Sequence, residues 1–107
     1  MDKFAALADP NRRKILELLA KHGELTATEI AEQFSISPQA ISQHLKALRE
    51  AELVQVEKRA QQRIYRVNSE AMFEVETWAG QLRQLWDQRF DALEQVIELE
   101  KKRLKGE

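Results

Sequence analysis

Residues 26–49 read TATEIAEQFSISPQAISQHLKALR. Thr26 and Glu29 have the spacing of a capping box, in which a Thr hydroxyl accepts the N–H three residues on and the Glu reaches back. Ile30, Ala31 and Phe34 follow at helical spacing and form the buried side of a short helix. Ser37-Pro38 is a second helix start, with Ser as N-cap and Pro at the first helical position. Ile41, Leu45 and Leu48 then line one face, and Gln39, Ser42, Gln43 and Lys46 line the opposite one. Ser35-Ile36 is left between the two helices as a tight turn. Two short helices so joined, the second with small polar residues outward, make a helix-turn-helix, whose second helix is shaped for the DNA major groove.

The flanking sequence supports this unit. Residues 1–7 read as a short amphipathic helix with Phe4 and Leu7 as its apolar contacts. Asp9-Pro10 starts another helix, which carries Ile15, Leu16, Leu18 and Leu19 inward and stops at Gly23. After Leu53, Val54-Gln55-Val56-Glu57 alternates and Arg63-Ile64-Tyr65-Arg66-Val67 returns, a β-hairpin with its tip at Arg59-Ala60-Gln61-Gln62. The tip has no Asn-Gly or Asp-Gly, so its turn type is open. A hairpin directly after a recognition helix is a wing.

Ser69 to Leu104 is one helical pattern, with apolar residues at Val75, Trp78, Ala79, Leu82, Leu85, Trp86, Phe90, Leu93, Val96 and Ile97; Gly80 allows a bend. Such a helix spans roughly 50 Å, more than a small domain can cover. A second copy of the chain is the expected cover. The expected fold is therefore mostly α with a small β-hairpin wing, a winged helix-turn-helix in one domain. Residues 69–104 are expected to be a dimerisation helix, with 26–49 as the helix-turn-helix and 54–67 as the wing.

The chain has 107 residues and no cysteine, which removes disulfides, thiol redox sensing and thiolate metal sites. No apolar run approaches the ~20 residues of a membrane span, and the N-terminus lacks a secretory apolar segment. A cytoplasmic protein with no membrane partner is expected. Net charge is −1. Residues 1–68 carry +2 and residues 69–107 carry −3, so the positive excess lies with the helix-turn-helix.

With these elements in order, the chain resembles the ArsR/SmtB-type winged-helix repressors, and in particular a metal-independent branch of them. The matching strings are FAALADPNRRKILELL, LTATEIAEQFSISPQAISQHLKALREAELV, the wing ending RIYRVN and the Trp-containing tail WAGQLRQLWDQRFDALE. The resemblance implies a homodimer, formed through the first and last helices, residues 1–8 and 69–104, that sits on operator DNA and represses transcription, often of its own operon. Two positions depart from the usual pattern. Many relatives have Gly where this chain has Glu52, and Gly at the wing tip where it has Ala60-Gln61-Gln62. The fold is expected to survive both.

Gln39, Ser42, Gln43 and Lys46 are the expected base contacts, because Gln pairs bidentately with adenine and Ser serves several base edges. The alternative is a solvated helix face. Ser37 is first a cap, and the helix N-terminus there favours a phosphate. Arg59 and Arg63 flank the wing tip and suit phosphate or minor groove; the alternative is surface charge partly paired with Glu57. One of Arg12 and Arg13 is expected to tie its helix to a carboxylate within the fold. His44 has three readings, in order: a hydrogen bond within the fold, a phosphate contact, a metal ligand. Phe4, Leu7, Trp78, Leu82, Leu85, Trp86 and Leu93 are the expected dimer contacts. Trp78, Trp86 and Phe90 could instead line a pocket for a small apolar effector at the dimer seam.

The leading reading is a sequence-specific homodimeric repressor on a palindromic operator, with no cofactor and no metal. A metal sensor is disfavoured, since residues 26–34 hold no Cys and residues 69–104 no His or Cys, and carboxylates alone are poor ligands for zinc, copper or nickel. A protein-interaction scaffold remains a rival, because fold alone does not prove DNA binding. An enzyme is the weakest reading: no Gly-rich phosphate loop, metal-ligand cluster or assembled Ser/His/Asp set is legible.

Overall fold

The computed structural model describes residues 1–106. Its elements run α1 (Lys3–Ala6), α2 (Pro10–His22), β1 (Leu25–Thr26), α3 (Ala27–Glu32), α4 (Pro38–Glu50), β2 (Val54–Arg59), β3 (Gln62–Val67) and α5 (Ser69–Lys105). The chain divides into two units, Met1–Val75 and the distal part of α5 from Glu76 onward. No helix of the described residues is long and apolar enough to cross a membrane.

The helix starts follow the expected chemistry. The Asp9 carboxylate accepts the N–H groups of Asn11 (2.8 Å) and Arg12 (3.2 Å) ahead of Pro10. Thr26 and Glu29 form the reciprocal capping box, at 3.1 and 2.9 Å. Ser37 Oγ accepts the Ala40 N–H at 3.1 Å. Gly23 closes α2 at φ 88°, a left-handed conformation that costs glycine little, and its N–H bonds the Leu19 carbonyl at 2.8 Å.

In the first unit, the apolar faces of α2, α3 and α4 meet in one core. Ile15, Leu19, Ile30, Ile41, Leu45, Leu48 and Leu53 are buried there, and Ala71 of α5 joins them. Leu18 is only half-buried, unlike its neighbours Ile15, Leu16 and Leu19.

The hairpin is tighter than its sequence suggested. β2 and β3 pair in register from Val54↔Val67 to Arg59↔Gln62, so only Ala60 and Gln61 form the turn. Ala60 has φ 56°, and positive φ at the first turn residue is what a two-residue hairpin demands. The strand β1 was not legible. Leu25 and Thr26 pair with Tyr65 and Ile64, giving a three-stranded antiparallel sheet in the order β1-β3-β2. Two residues are too few to show alternation, and the cap signal at Thr26 occupies the same place.

The end of α4 is a second strained point, besides Ala60. Leu53 N–H bonds the Leu48 carbonyl at 2.9 Å and Glu52 N–H bonds the Arg49 carbonyl at 3.0 Å, the paired bonds of a Schellman ending. Leu48 and Leu53, the two ends of the longer loop, are both fully buried. The motif needs a left-handed residue between them, and Glu52 supplies it at φ 62°. Asn68 clasps this turn twice: its side-chain N–H donates to the Glu52 carbonyl (2.8 Å) and its backbone N–H to the Leu53 carbonyl (2.9 Å). The carbonyl of Asn68 then accepts from Met72 in the first turn of α5.

Arg12 and Arg13 do not find carboxylates. Arg12 Nε donates to the Ala6 carbonyl (2.7 Å), and Arg13 donates to the carbonyls of Leu7 (2.7 Å) and Ala8 (3.1 Å). The last turn of a helix leaves carbonyls without partners, and these two cations satisfy those after α1. Another Arg12 N–H points at His44 Nδ1 at 3.5 Å. His44 thus has its partner within the fold.

Two predictions follow from these ends. Glu52→Gly removes a left-handed cost of about 1 kcal/mol, so its thermal midpoint should rise by roughly 4–8 °C in a calorimetric or circular-dichroism melt. Partial burial works to raise the Asp9 carboxyl, but the N–H groups of Arg12 and Asn11 and the charge of Arg12 hold it below its ordinary value. A carboxyl depressed by folding stabilises fully above its unfolded pKa and loses that contribution as pH falls through the folded one. Asp9→Asn keeps the cap without the ionisation, so its melting temperature should fall less than the parent's between about pH 6 and about pH 3.

Candidate nucleic-acid interface

The core fixes which way α4 faces. With Ile41, Leu45 and Leu48 buried, Gln39, Ser42, Gln43 and Lys46 are all exposed. Ser37 is exposed at the start of the same helix and is engaged as its cap. Lys46 makes a long ion pair with Glu50, at 4.0 Å, between two exposed side chains; such a pair contributes little and leaves the ammonium available.

The wing separates its cations by face. Alternation along paired strands puts Lys58, Arg63 and Tyr65 on one face, and Glu57, Arg59 and Arg66 on the other. On the second face Arg59 donates to Glu57 at 2.7 Å and to Glu24 at 3.0 Å, and Arg66 reaches Glu57 at 3.3 Å and Glu24 at 3.8 Å. The hydrogen bond from Arg59, with its charge, holds the Glu57 carboxyl below the usual carboxylate range. Bonds from Glu24 and then Glu57 raise the Arg59 guanidinium above its ordinary value. This cluster is two carboxylates and two guanidiniums, neutral as a whole.

On the first face the wing meets the recognition helix. Ser42, Gln43, Lys46, Arg49, Arg63 and Tyr65 line a cleft of about 260 Å³. Among the described residues no carboxylate pairs with Arg49, Arg63 or Lys58. Of the residues expected to touch DNA, the structure therefore brings Ser42, Gln43, Lys46 and Arg63 to one place. Ser37 and Gln39 lie on the same helix outside the cleft, and Arg59 lies on the opposite face of the wing, held by carboxylates. Arg49 and Tyr65 were missed. Both were within reach of the sequence: Arg49 follows Lys46 by three and Ser42 by seven, and Tyr65 is two from Arg63, so helix and strand periodicity place each on the same face.

The distal part of α5 presents its own surface. Leu82, Leu85, Trp86, Phe90, Leu93, Val96 and Ile97 are all exposed, and Trp86, Arg89, Phe90, Leu93 and Val96 border a groove of about 370 Å³. Trp78 is half exposed on the same helix and Phe4 nearly so on α1, while Leu7 is half-buried against the chain's own core. Among the described residues, no three His, Asp or Glu side chains gather where they could hold a metal ion.

The fold and this site can be set beside known proteins. The family described as bacterial regulatory protein, arsR family, matches residues 9–56, which contain α2, the helix-turn-helix and the start of the wing. The chain is 43% identical over 75 residues to the transcriptional repressor SdpR of Bacillus subtilis, covering 70% of this chain and 82% of that one. The chain belongs to the ArsR family. Its resemblance to the HTH-type transcriptional regulator Rv2034 of Mycobacterium tuberculosis extends further, at 36% identity over 97 residues, 91% of this chain and 87% of the relative. Among solved structures, an ArsR-like transcriptional regulator from Rhodococcus sp. RHA1 superposes with TM-score 0.79 at 32% identity, over 89% of this chain and 86% of its own. As an ArsR-family member this chain is a transcriptional regulator of the helix-turn-helix kind and not an enzyme.

Proposed function

We propose that this ArsR-family regulator is a homodimeric repressor that binds a palindromic operator through α4 and needs no metal to do so. The observation that carries the reading is the outward face of α4. Gln39, Ser42, Gln43 and Lys46 are exposed together because Ile41, Leu45 and Leu48 on the opposite face are locked in the core. Small amides and hydroxyls on a groove-sized helix are the chemistry of base edges. A relative of this chain is named a transcriptional repressor, which supports the direction of regulation. The reading places the protein with chromosomal DNA in the cytoplasm.

Dimerisation rests on the stripe of α5. Seven large apolar side chains from Leu82 to Ile97 are exposed along one helix, far more than single scattered hydrophobes on a monomer. A second copy supplies the same stripe in return and satisfies both, and a two-fold dimer then calls for an inverted repeat in the DNA. The groove at Trp86, Phe90 and Leu93 also fits a small apolar effector at the seam.

Fluorescence-anisotropy titration against DNA upstream of the protein's own gene, with a scrambled duplex beside it, tests the reading. Tight binding to the upstream duplex only is expected, weakening as salt rises. Equal binding to both would remove sequence reading, and no binding at low salt would favour a protein-interaction scaffold. Gln43→Ala should weaken operator binding by about 1–3 kcal/mol and leave the scrambled duplex almost unaffected. Trp86→Asp should convert the dimer to monomer in sedimentation velocity and abolish tight operator binding with it. A Trp86→Asp protein that is still dimeric and fully binding would take α5 out of that role.

A further inference from the structure

We infer that the cleft between the recognition helix and the wing is a seat for a single DNA backbone phosphate, with Arg49 and Arg63 as its two cations. The inference rests on the DNA-binding reading above and adds to it Arg49, a shared seat for it with Arg63, and a division of labour within the wing. Three cationic side chains, Lys46, Arg49 and Arg63, line one concave site together with the polar groups of Ser42 and Gln43 and the buried Tyr65. Cations normally spread over a surface and collect carboxylates. Here two neighbouring carboxylates, Glu24 and Glu57, are engaged on the other face of the same hairpin by Arg59 and Arg66, and a third, Glu50, reaches only Lys46, at 4.0 Å.

The consequence is electrostatic. Of the three arginines in the wing, two are neutralised where they stand, and the third faces the cleft beside Arg49. Two guanidiniums converging from a helix and a strand offer forked N–H donors, the geometry that suits phosphate oxygens. Lys46 completes the site as a point charge, loosely held by Glu50 at 4.0 Å. Elements of different origin enclose the anion, so it is gripped only when wing and recognition helix engage the same duplex. Such a contact fixes the register of α4 in the groove and carries no base information.

The test is the salt dependence of DNA binding by the whole 107-residue chain, measured by anisotropy on the operator and on a scrambled duplex. In the double variant Arg49→Gln/Arg63→Gln, affinity should fall by the same factor on both duplexes. The slope of log K against log salt should shrink by about 0.9 for each seat removed. Arg49→Lys/Arg63→Lys keeps both charges and should retain the parental slope. Arg59→Gln should leave the slope unchanged, since that guanidinium is already paired. The exposed Arg63→Gln alone, checked by its melting curve, gives the same direction if the double variant is unstable. Inorganic phosphate at matched ionic strength should not compete with the duplex. An unchanged slope in a folded Arg63→Gln and in the double variant would overturn the seat while leaving DNA binding intact. Slope loss from Arg59→Gln equal to that from Arg63→Gln would overturn the division between faces. Competition by inorganic phosphate would make the cleft a free-anion site. A parent protein that binds no DNA would overturn the DNA reading and the seat together.

Discussion

Burial of Ile41, Leu45 and Leu48 is the constraint on which everything else in the first unit depends. These three side chains are almost wholly removed from water, and burying each stabilises the fold by roughly 1.5–3 kcal/mol. That free energy does more than hold α4 in place. A helix rotated by one residue would move about 100° and carry Gln43 toward the core and Leu45 toward solvent. The polar face of α4 is therefore set by the packing of the apolar one. The Schellman ending extends the same logic past the helix, because burying Leu53 beside Leu48 forces Glu52 into a left-handed conformation. Asn68 then ties that turn to the start of α5, so recognition helix, wing and the first turn of α5 share one junction.

The wing follows a second rule, that of alternation. Its strands place like-facing residues two apart, and the sequence puts carboxylates on only one of the two faces. The Glu24–Arg59–Glu57–Arg66 cluster is exposed, so it contributes little to stability. Its effect is on the field. It cancels half of the four cations of the hairpin on one side and leaves Lys58 and Arg63 uncancelled on the other. A chain of net charge −1 can in this way still show a local positive site beside its recognition helix.

Much of this was legible in the sequence because the signals were redundant. Asp9-Pro10, Thr26 with Glu29, and Ser37-Pro38 each mark a helix start by a side-chain acceptor and a backbone preference at once, and all three caps form. The apolar spacing of Ile41, Leu45 and Leu48 was sufficient to orient α4. What sequence could not show was pairing across distance. Glu24 lies 35 residues from Arg59, and nothing local to either announces that they meet; the same holds for Arg12 and His44. The partners of Arg12 and Arg13 were misjudged for a different reason. A cation near a helix end can satisfy either carboxylates or free carbonyls, and the carbonyls after α1 were closer. The strand β1 was hidden by its length and by the cap at Thr26.

The proposal on which the rest depends is that α4 reads one half of a two-fold symmetric DNA site. In-vitro selection by the purified protein from a pool of random duplexes tests it most directly. The account predicts enrichment of an inverted repeat whose half-sites are centred about one helical turn, or ~10–10.5 base pairs, apart or a multiple of that spacing. Retention of duplexes without enrichment of any sequence would contradict it, for α4 would then be bound to DNA without reading it.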